Sequence, residues 1–299
     1  MKCIEHPYEN LSGGQWLRGN LHTHTNRSDG ARPPQAVIDD YAGRRYDFLM
    51  ISDHDVYTSD EDLSHYDARG MVLIPGNEVT ANGSHLLHVN ANRMIAPCPQ
   101  RQTILNEATG SDPQSFVIVC HPNWSFPAFS MFNHTSREQL EEWVGYTGLE
   151  IYNGVIGRLD GSPYATNKWD MLLSQGRHVW GYAHDDSHAS KNDVELGWNV
   201  VYAKSNSLSE IVNALQRGRF YASTGVVIRD IKVSGTTIRI ETENAERIVA
   251  LHQAGCRFTQ VDGSVIEVEA PPQATYVRFE CWGRGESFAW TQPFYLSEA

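Results

Sequence analysis

Apolar and polar positions alternate along this chain with two different periods. Up to about residue 220, short apolar runs recur: "DFLMIS", "MVLIPG", "FVIVC", "GLEIY", "HVWGYA" and "WNVVYA". Each has the length of a buried strand. Between them "PQAVIDDYAGRRY", "SREQLEEWVGYTG" and "YATNKWDMLLSQGR" read as helices. Ser136 with Gln139, and Ser207 with Glu210 ahead of "IVNALQRGRF", have capping-box spacing. Strands alternating with helices predict a parallel sheet covered by helices, as a doubly wound sheet or a closed barrel. Past Ser223 the period changes to two, with turn signals at Ser234-Gly235 and Asp262-Gly263. That texture predicts a small antiparallel β-sandwich. The expected division is an α/β unit over residues 1–223 and an all-β unit over 224–299. There is no internal repeat or low-complexity stretch.

Composition narrows the classes. The 299 residues are 40% hydrophobic, as in an ordinary globular protein. A formal charge of −12 argues against a polymeric nucleic-acid partner. No apolar run approaches the roughly 20 residues of a membrane span. The start, "MKCIEHPYENLSGGQW", has no apolar signal-peptide core, and the five cysteines are scattered without a CxxC. The expectation is a reduced, cytoplasmic protein.

Chemistry gathers where the apolar runs stop. His22 and His24 follow "LRGNL"; Asp53, His54 and Asp55 follow "FLMIS"; Glu78 follows "MVLIPGN". His121 follows "FVIVC", Asn153 follows "LEIY", and "HDDSH" follows "VWGYA". The carboxyl ends of strands are where α/β folds build active sites. His22 and His24, two apart in an extended segment, point to one side, as ligands of one ion would.

These motifs, in the order "HTHT…SDG", "ISDHD", "PGNEVT", "HLLHVNA", "CHPNW" and "DDSH", resemble the PHP (polymerase and histidinol phosphatase) family. The resemblance implies a distorted (β/α)7 TIM-like barrel holding two or three divalent ions. "RGRFYASTG", leading into the β segment, is similar to members that append a small β domain. Carried over, His22, His24 and Asp186 would bind one metal. Glu78 would bridge it to a second, completed by His88 and His121. Asp29, His54 and His188 would hold a third. "GSHLLHVNA" offers both His85 and His88, which face opposite sides if extended; the family pattern favours His88. Asp53 and Asp55 would orient ligands.

Six imidazoles and three carboxylates around three divalent ions would leave about +3, a trap for phosphate on an acidic protein. Mixed histidine and carboxylate ligation suits zinc, manganese or iron. The chain has no GxSxG, P-loop or dinucleotide glycine pattern, and Cys120 reads as a buried strand residue. The expected nucleophile is therefore a hydroxide bridging two metals. Glu78, Asp186 and His188 would be catalytic, with His188, His184 and Asp185 as candidate general acids. Arg27, Arg158 and Lys191 are candidate phosphate contacts, and Trp124 and Phe126 could stack on a base or sugar. His6, His65, His134, His178 and His252 read as structural or surface residues.

The expected activity is hydrolysis of a small phosphomonoester or a nucleotide phosphodiester. Amide or carbamate cleavage on the same barrel, and a metal-stabilised scaffold without catalysis, are the alternatives.

Overall fold

The computed structural model describes residues 2–9, 11–126, 133–189 and 192–298. Its apolar runs become strands around a shared interior. Gln15–Asn20, Phe48–Met50 and Val72–Ile74 pair in parallel, as do Phe116–Val119, Gly148–Asn153 and Trp180–His184. Leu17, Phe48, Met50, Ile74, Leu87, Ile118, Tyr182 and Val201, drawn from both sets, fill one core. Asn199, on the strand Trp198–Ala203, joins the sets with its side-chain amide. Its Oδ1 accepts from Ala183 N at 3.1 Å and its Nδ2 donates to Ala183 O at 2.9 Å.

The sheets are mixed rather than uniformly parallel. Gly76–Val79 and Leu86–Val89 form an antiparallel hairpin, because residues 80–85 are too few for a crossover, which needs about a dozen. Trp198–Ala203 also runs antiparallel, against Gln15–Asn20. The architecture is therefore mixed α/β, with mixed sheets where the strand–helix alternation predicted a parallel one.

Helices cover the outer face. Ile104, Leu105, Leu140, Trp169 and Leu172 pack on Val79, Leu86, Val117, Val119 and Ile151. The helix Arg137–Glu142 starts at a formed capping box: Ser136 Oγ accepts from Gln139 N, and Gln139 Oε1 accepts from Ser136 N at 2.8 Å. The second box is not made. Glu210 accepts from Lys204 N, and the Ser207 hydroxyl lies 3.1 Å from that of Ser205. Two helices the pattern did not announce are Asp60–Ser64 and Arg101–Ser111. The second is a polar stretch that buries Arg101, Ile104, Leu105 and Ala108.

After residue 223 the chain is built from strands, with one short 3₁₀ turn at Gln253–Gly255. Ile228–Ser234, Thr237–Thr242 and Val265–Glu269 form one sheet. Its Ile231, Ile238, Ile240 and Ile266 pack against Ile248, Ala250, Phe279 and Cys281 of the facing sheet. Ser234-Gly235 turns within the first sheet, whereas Asp262-Gly263 carries the chain from one sheet to the other. Phe288–Thr291 pairs with Phe220–Ser223, so the facing sheet continues into the α/β part. Arg278 crosses the same boundary to clasp Asp170, with both N–O distances 2.6 Å.

Candidate metal centre

Backbone alternation sets the first ligands. Thr23 turns outward, donating from Oγ1 to Met50 O, while His24 N donates to Ser187 O and Asp186 N to His22 O. This bridge lays His22-x-His24 beside Asp186-x-His188. His22 Nε2 and His24 Nε2 then stand 3.2 and 3.0 Å from Asp186 Oδ1, and 3.4 and 3.6 Å from Glu78 Oε2. Asp53 holds the following loop by accepting from Thr25 N, Thr25 Oγ1 and Ser28 Oγ. Asp55 does the same for Thr80 and Ala81.

Glu78 is the hub. Its Oε2 also lies 2.7 Å from His54 Nδ1, and its Oε1 lies 3.0 Å from His85 Nδ1 and 3.5 Å from His121 Nε2. At the rim Asp29 comes within 3.5 Å of His54 Nε2 and 3.4 Å of His188 Nε2. His121 (φ 25°) and Asp186 (φ 57°) have left-handed backbones, as does the loop-fastening Asp55 (φ 51°). Non-glycine residues accept that strain mainly where the surrounding structure forces it, often at functional sites.

His88 is not part of this cluster. It pairs across the hairpin with Asn77, while Glu78 pairs with Leu87. His88 therefore points to the outer face, where its Nε2 meets Ser115 Oγ at 2.7 Å. His85 takes the inward place. Arg27 is likewise turned away, donating to Thr58 Oγ1 and Tyr57 O. Arg158 is paired with the buried Asp193, and Lys191 lies outside the described residues. Asp185 faces away from the cluster, accepting from Tyr41 Oη and from the backbone of Leu196 and Gly197.

Two contributors escaped the sequence reading. Glu150, fully buried, accepts from His121 N at 2.6 Å and lies 2.6 Å from His22 Nδ1 and 2.8 Å from His184 Nδ1. A glutamate inside "GLEIY" was the available signal, since a charge in a buried strand needs partners. His134, set aside as structural, accepts from His85 N at 2.9 Å and stacks edge-on against the His85 ring.

Charge follows from this packing. Burial opposes ionisation of Glu78, but His22, His85 and His54 hold its carboxyl well below the usual range. Asp186 is likewise lowered against burial, by His22 and His24. Burial alone would lower His54, yet Glu78 and Asp29 raise it to about 10. Against the same burial, Asp186 and Glu150 raise His22. Burial lowers His85 and His184 and pushes the Cys120 thiol up.

The donor set fits divalent cations. Buried His22 Nε2, both ring nitrogens of His24, His54 Nδ1, Glu78 Oε2 and Asp186 Oδ1 have no hydrogen-bond partner. Buried polar atoms are almost always paired, and these converge on one another. Their 3.0–3.6 Å spacings around Asp186 and Glu78 match the edge of about 3.3 Å in a tetrahedron with bonds of 2.0–2.1 Å. Glu150 lies against His22 Nδ1, so with an ion bound the ring proton would sit on Nδ1 and Nε2 would be free to ligate.

No family model matches the sequence, and no curated protein matches it. Solved structures share its shape. A two-domain protein from Bacteroides vulgatus ATCC 8482, which contains a predicted PHP-like metal-dependent phosphoesterase, superposes with a TM-score of 0.58 at 19% identity over 93% of each chain. A Bifidobacterium adolescentis protein assigned provisionally to the metal-dependent phosphoesterases gives 0.42 at 15% identity, over 57% of this chain and 87% of its own. An amidohydrolase from Chromobacterium violaceum gives 0.38 at 15% identity, over 59% and 89%. At 19% identity the first likeness is one of fold, and it spans both parts of the chain.

Proposed function

We propose that this protein is a metal-dependent phosphoesterase of the PHP type, its strands forming a distorted barrel around a cluster of two or three divalent ions. The carrying observation is the convergence of buried, unpartnered imidazole and carboxylate atoms on Glu78 and Asp186. His22, His24, Asp186 and Glu78 would hold one ion; Glu78, His85 and His121 a second; Asp29, His54 and His188 a third, more exposed one. Bound ions of this kind supply Lewis acidity toward a phosphoryl oxygen and activate water at neutral pH.

The chain's own residues do the rest. Glu150 fixes the His22 and His184 rings, and Asn153 steadies both Glu150 and Asp186 through its amide. Of the three candidate proton donors only His188 lines the pocket. Its Nδ1 is tied to Asp186 O at 2.8 Å, which aims Nε2 toward the rim. Zinc, manganese and iron all suit this ligand set.

One observation favours hydrolysis of an uncharged carbonyl bond as a second reading: no Lys or Arg among the described residues lines the pocket above the ligands. Release of 4-nitrophenol from its phosphate mono- and diesters by metal-loaded protein, against release of 4-nitroaniline from 4-nitroacetanilide-type amides, separates the two. Glu78→Ala and Asp186→Ala are expected to abolish ester turnover with the far-UV circular dichroism unchanged. Near-normal turnover in both variants would sink the reading.

A further inference from the structure

The walls over the ligand cluster are as specific as its floor. A cavity of about 320 Å³ opens above His54, His121 and His188 and is walled by Trp124, Val155, Ile156 and Leu159. A shallower groove continues outward between Trp124, Phe126 and Leu159, ending beside Arg158. Phe126 and Leu159 are 54% and 52% exposed, and they are two of the six large hydrophobics so exposed among the described residues. Apolar side chains gathered at a cleft mouth mark a binding surface more often than chance exposure.

The lip is already built. Ser125 N donates to Asp160 O at 2.9 Å and Ser162 N to Asn123 O at 3.1 Å, zipping residues 121–126 to residues 159–162. Gly161 (φ +108°) permits this approach, since a Cβ there would stand 2.4 Å from Asn123 O. The Trp124 and Phe126 rings lie 4.6 Å apart, tilted by 33°. A flat group resting on them meets a surface whose backbone is already tied at Asn123 and Ser125, which lowers the ordering entropy lost on binding.

We propose, resting on the phosphoesterase reading, that the substrate is the phosphate ester of an aromatic or similarly flat, apolar alcohol. Its phosphoryl group sits over the ligand cluster and its ring lies along Trp124, Leu159 and Phe126. A sugar phosphate would set its hydroxyls against apolar walls, where each lost hydrogen bond to water goes uncompensated. A polyphosphate would find Arg158 already paired with Asp193 and Arg27 turned toward Thr58.

Calorimetric titration of metal-loaded protein with three inert probes tests this: phenylphosphonate, methylphosphonate and 2-hydroxyethylphosphonate, at a pH where all are fully ionised. Phenylphosphonate should bind about tenfold or more tightly than either of the others, the gain expected for half-burying a ring. Phe126→Ser and Leu159→Ser, exposed positions away from the ligands, should each erode that advantage severalfold while methylphosphonate affinity holds. Equal affinity for the three probes, or an advantage that survives both substitutions, overturns the inference while phosphonate binding leaves the phosphoesterase reading standing. No binding of any phosphonate, with no turnover of nitrophenyl phosphates, removes that reading and this inference with it.

Discussion

His85 and His88 differ by three positions and by everything in their surroundings. One approaches Glu78 beside the unpartnered ligand atoms, the other hydrogen-bonds Ser115 under the outer layer. His85→Ala is therefore expected to weaken metal retention by about 10–100-fold or more, whereas His88→Gln should retain the wild-type metal content on elemental analysis. His88 instead carries a pH signature. Burial, helped by Arg93, lowers it from 6.5 to about 4. Between those values the unfolded chain binds more protons than the folded one, so stability is full above about pH 6.5 and declines as the pH falls toward 4. The decline attributable to this one group is at most about 3 kcal/mol. Urea melts at pH 7 and pH 4.5 should show His88→Gln losing less stability on acidification than the wild type does.

Between strands, the placement of the candidate site residues depends on how loops are fastened. Lys168, on the helix Thr166–Ser174, donates from Nζ to Pro122 O at 2.8 Å, Asn133 Oδ1 at 3.1 Å and Thr135 O at 2.5 Å. It thereby ties both ends of the segment that carries His121, Trp124 and His134. Lys168→Met takes the donor from the Thr135 carbonyl and leaves Pro122 O only Thr135 N at 3.3 Å, a loss of about 1–3 kcal/mol. Thermal melting should register that loss, and metal retention should fall with it because His121 is no longer held. A variant with wild-type melting and metal content would show that the loop is fixed by other contacts. At this scale the strand pattern was legible: each apolar run of the first 220 residues has its strand. The hairpin at residues 76–89 was not, because strand direction depends on connection length and pairing, not on the apolar pattern.

Across the whole molecule, the β segment is fastened to the α/β part by more than proximity. Phe288–Thr291 extends the sheet through Phe220–Ser223, Lys2–Glu5 pairs with Phe294–Glu298, and Gln292 exchanges two hydrogen bonds with the backbone of Gly181. The Asp170–Arg278 pair is buried on both sides. Asp170→Asn would leave the buried Arg278 guanidinium with Glu280 as its remaining counter-charge, and truncating one partner of a buried pair costs up to about 3–5 kcal/mol. Calorimetry should show a lower melting temperature for that variant. With strands shared across the boundary, wild type and variant alike should unfold in a single transition. Two separated transitions in the wild type would mean that the parts fold independently.

By itself, the sequence determined the chemistry and its approximate place. Imidazoles and carboxylates stand at the ends of apolar runs, and two-residue spacings aim His22 with His24 and Asp186 with His188. Local period and residue type are properties of a segment, so they can be read from it. Tertiary structure decided what depends on partners far along the chain. Register across the hairpin chose His85 over His88. The fold brought Glu150 under His22 from 128 positions away, and it turned Arg27 from the pocket toward Thr58. Pairing and facing are relations between distant segments, settled only when packing brings them together, and no single stretch of residues contains them.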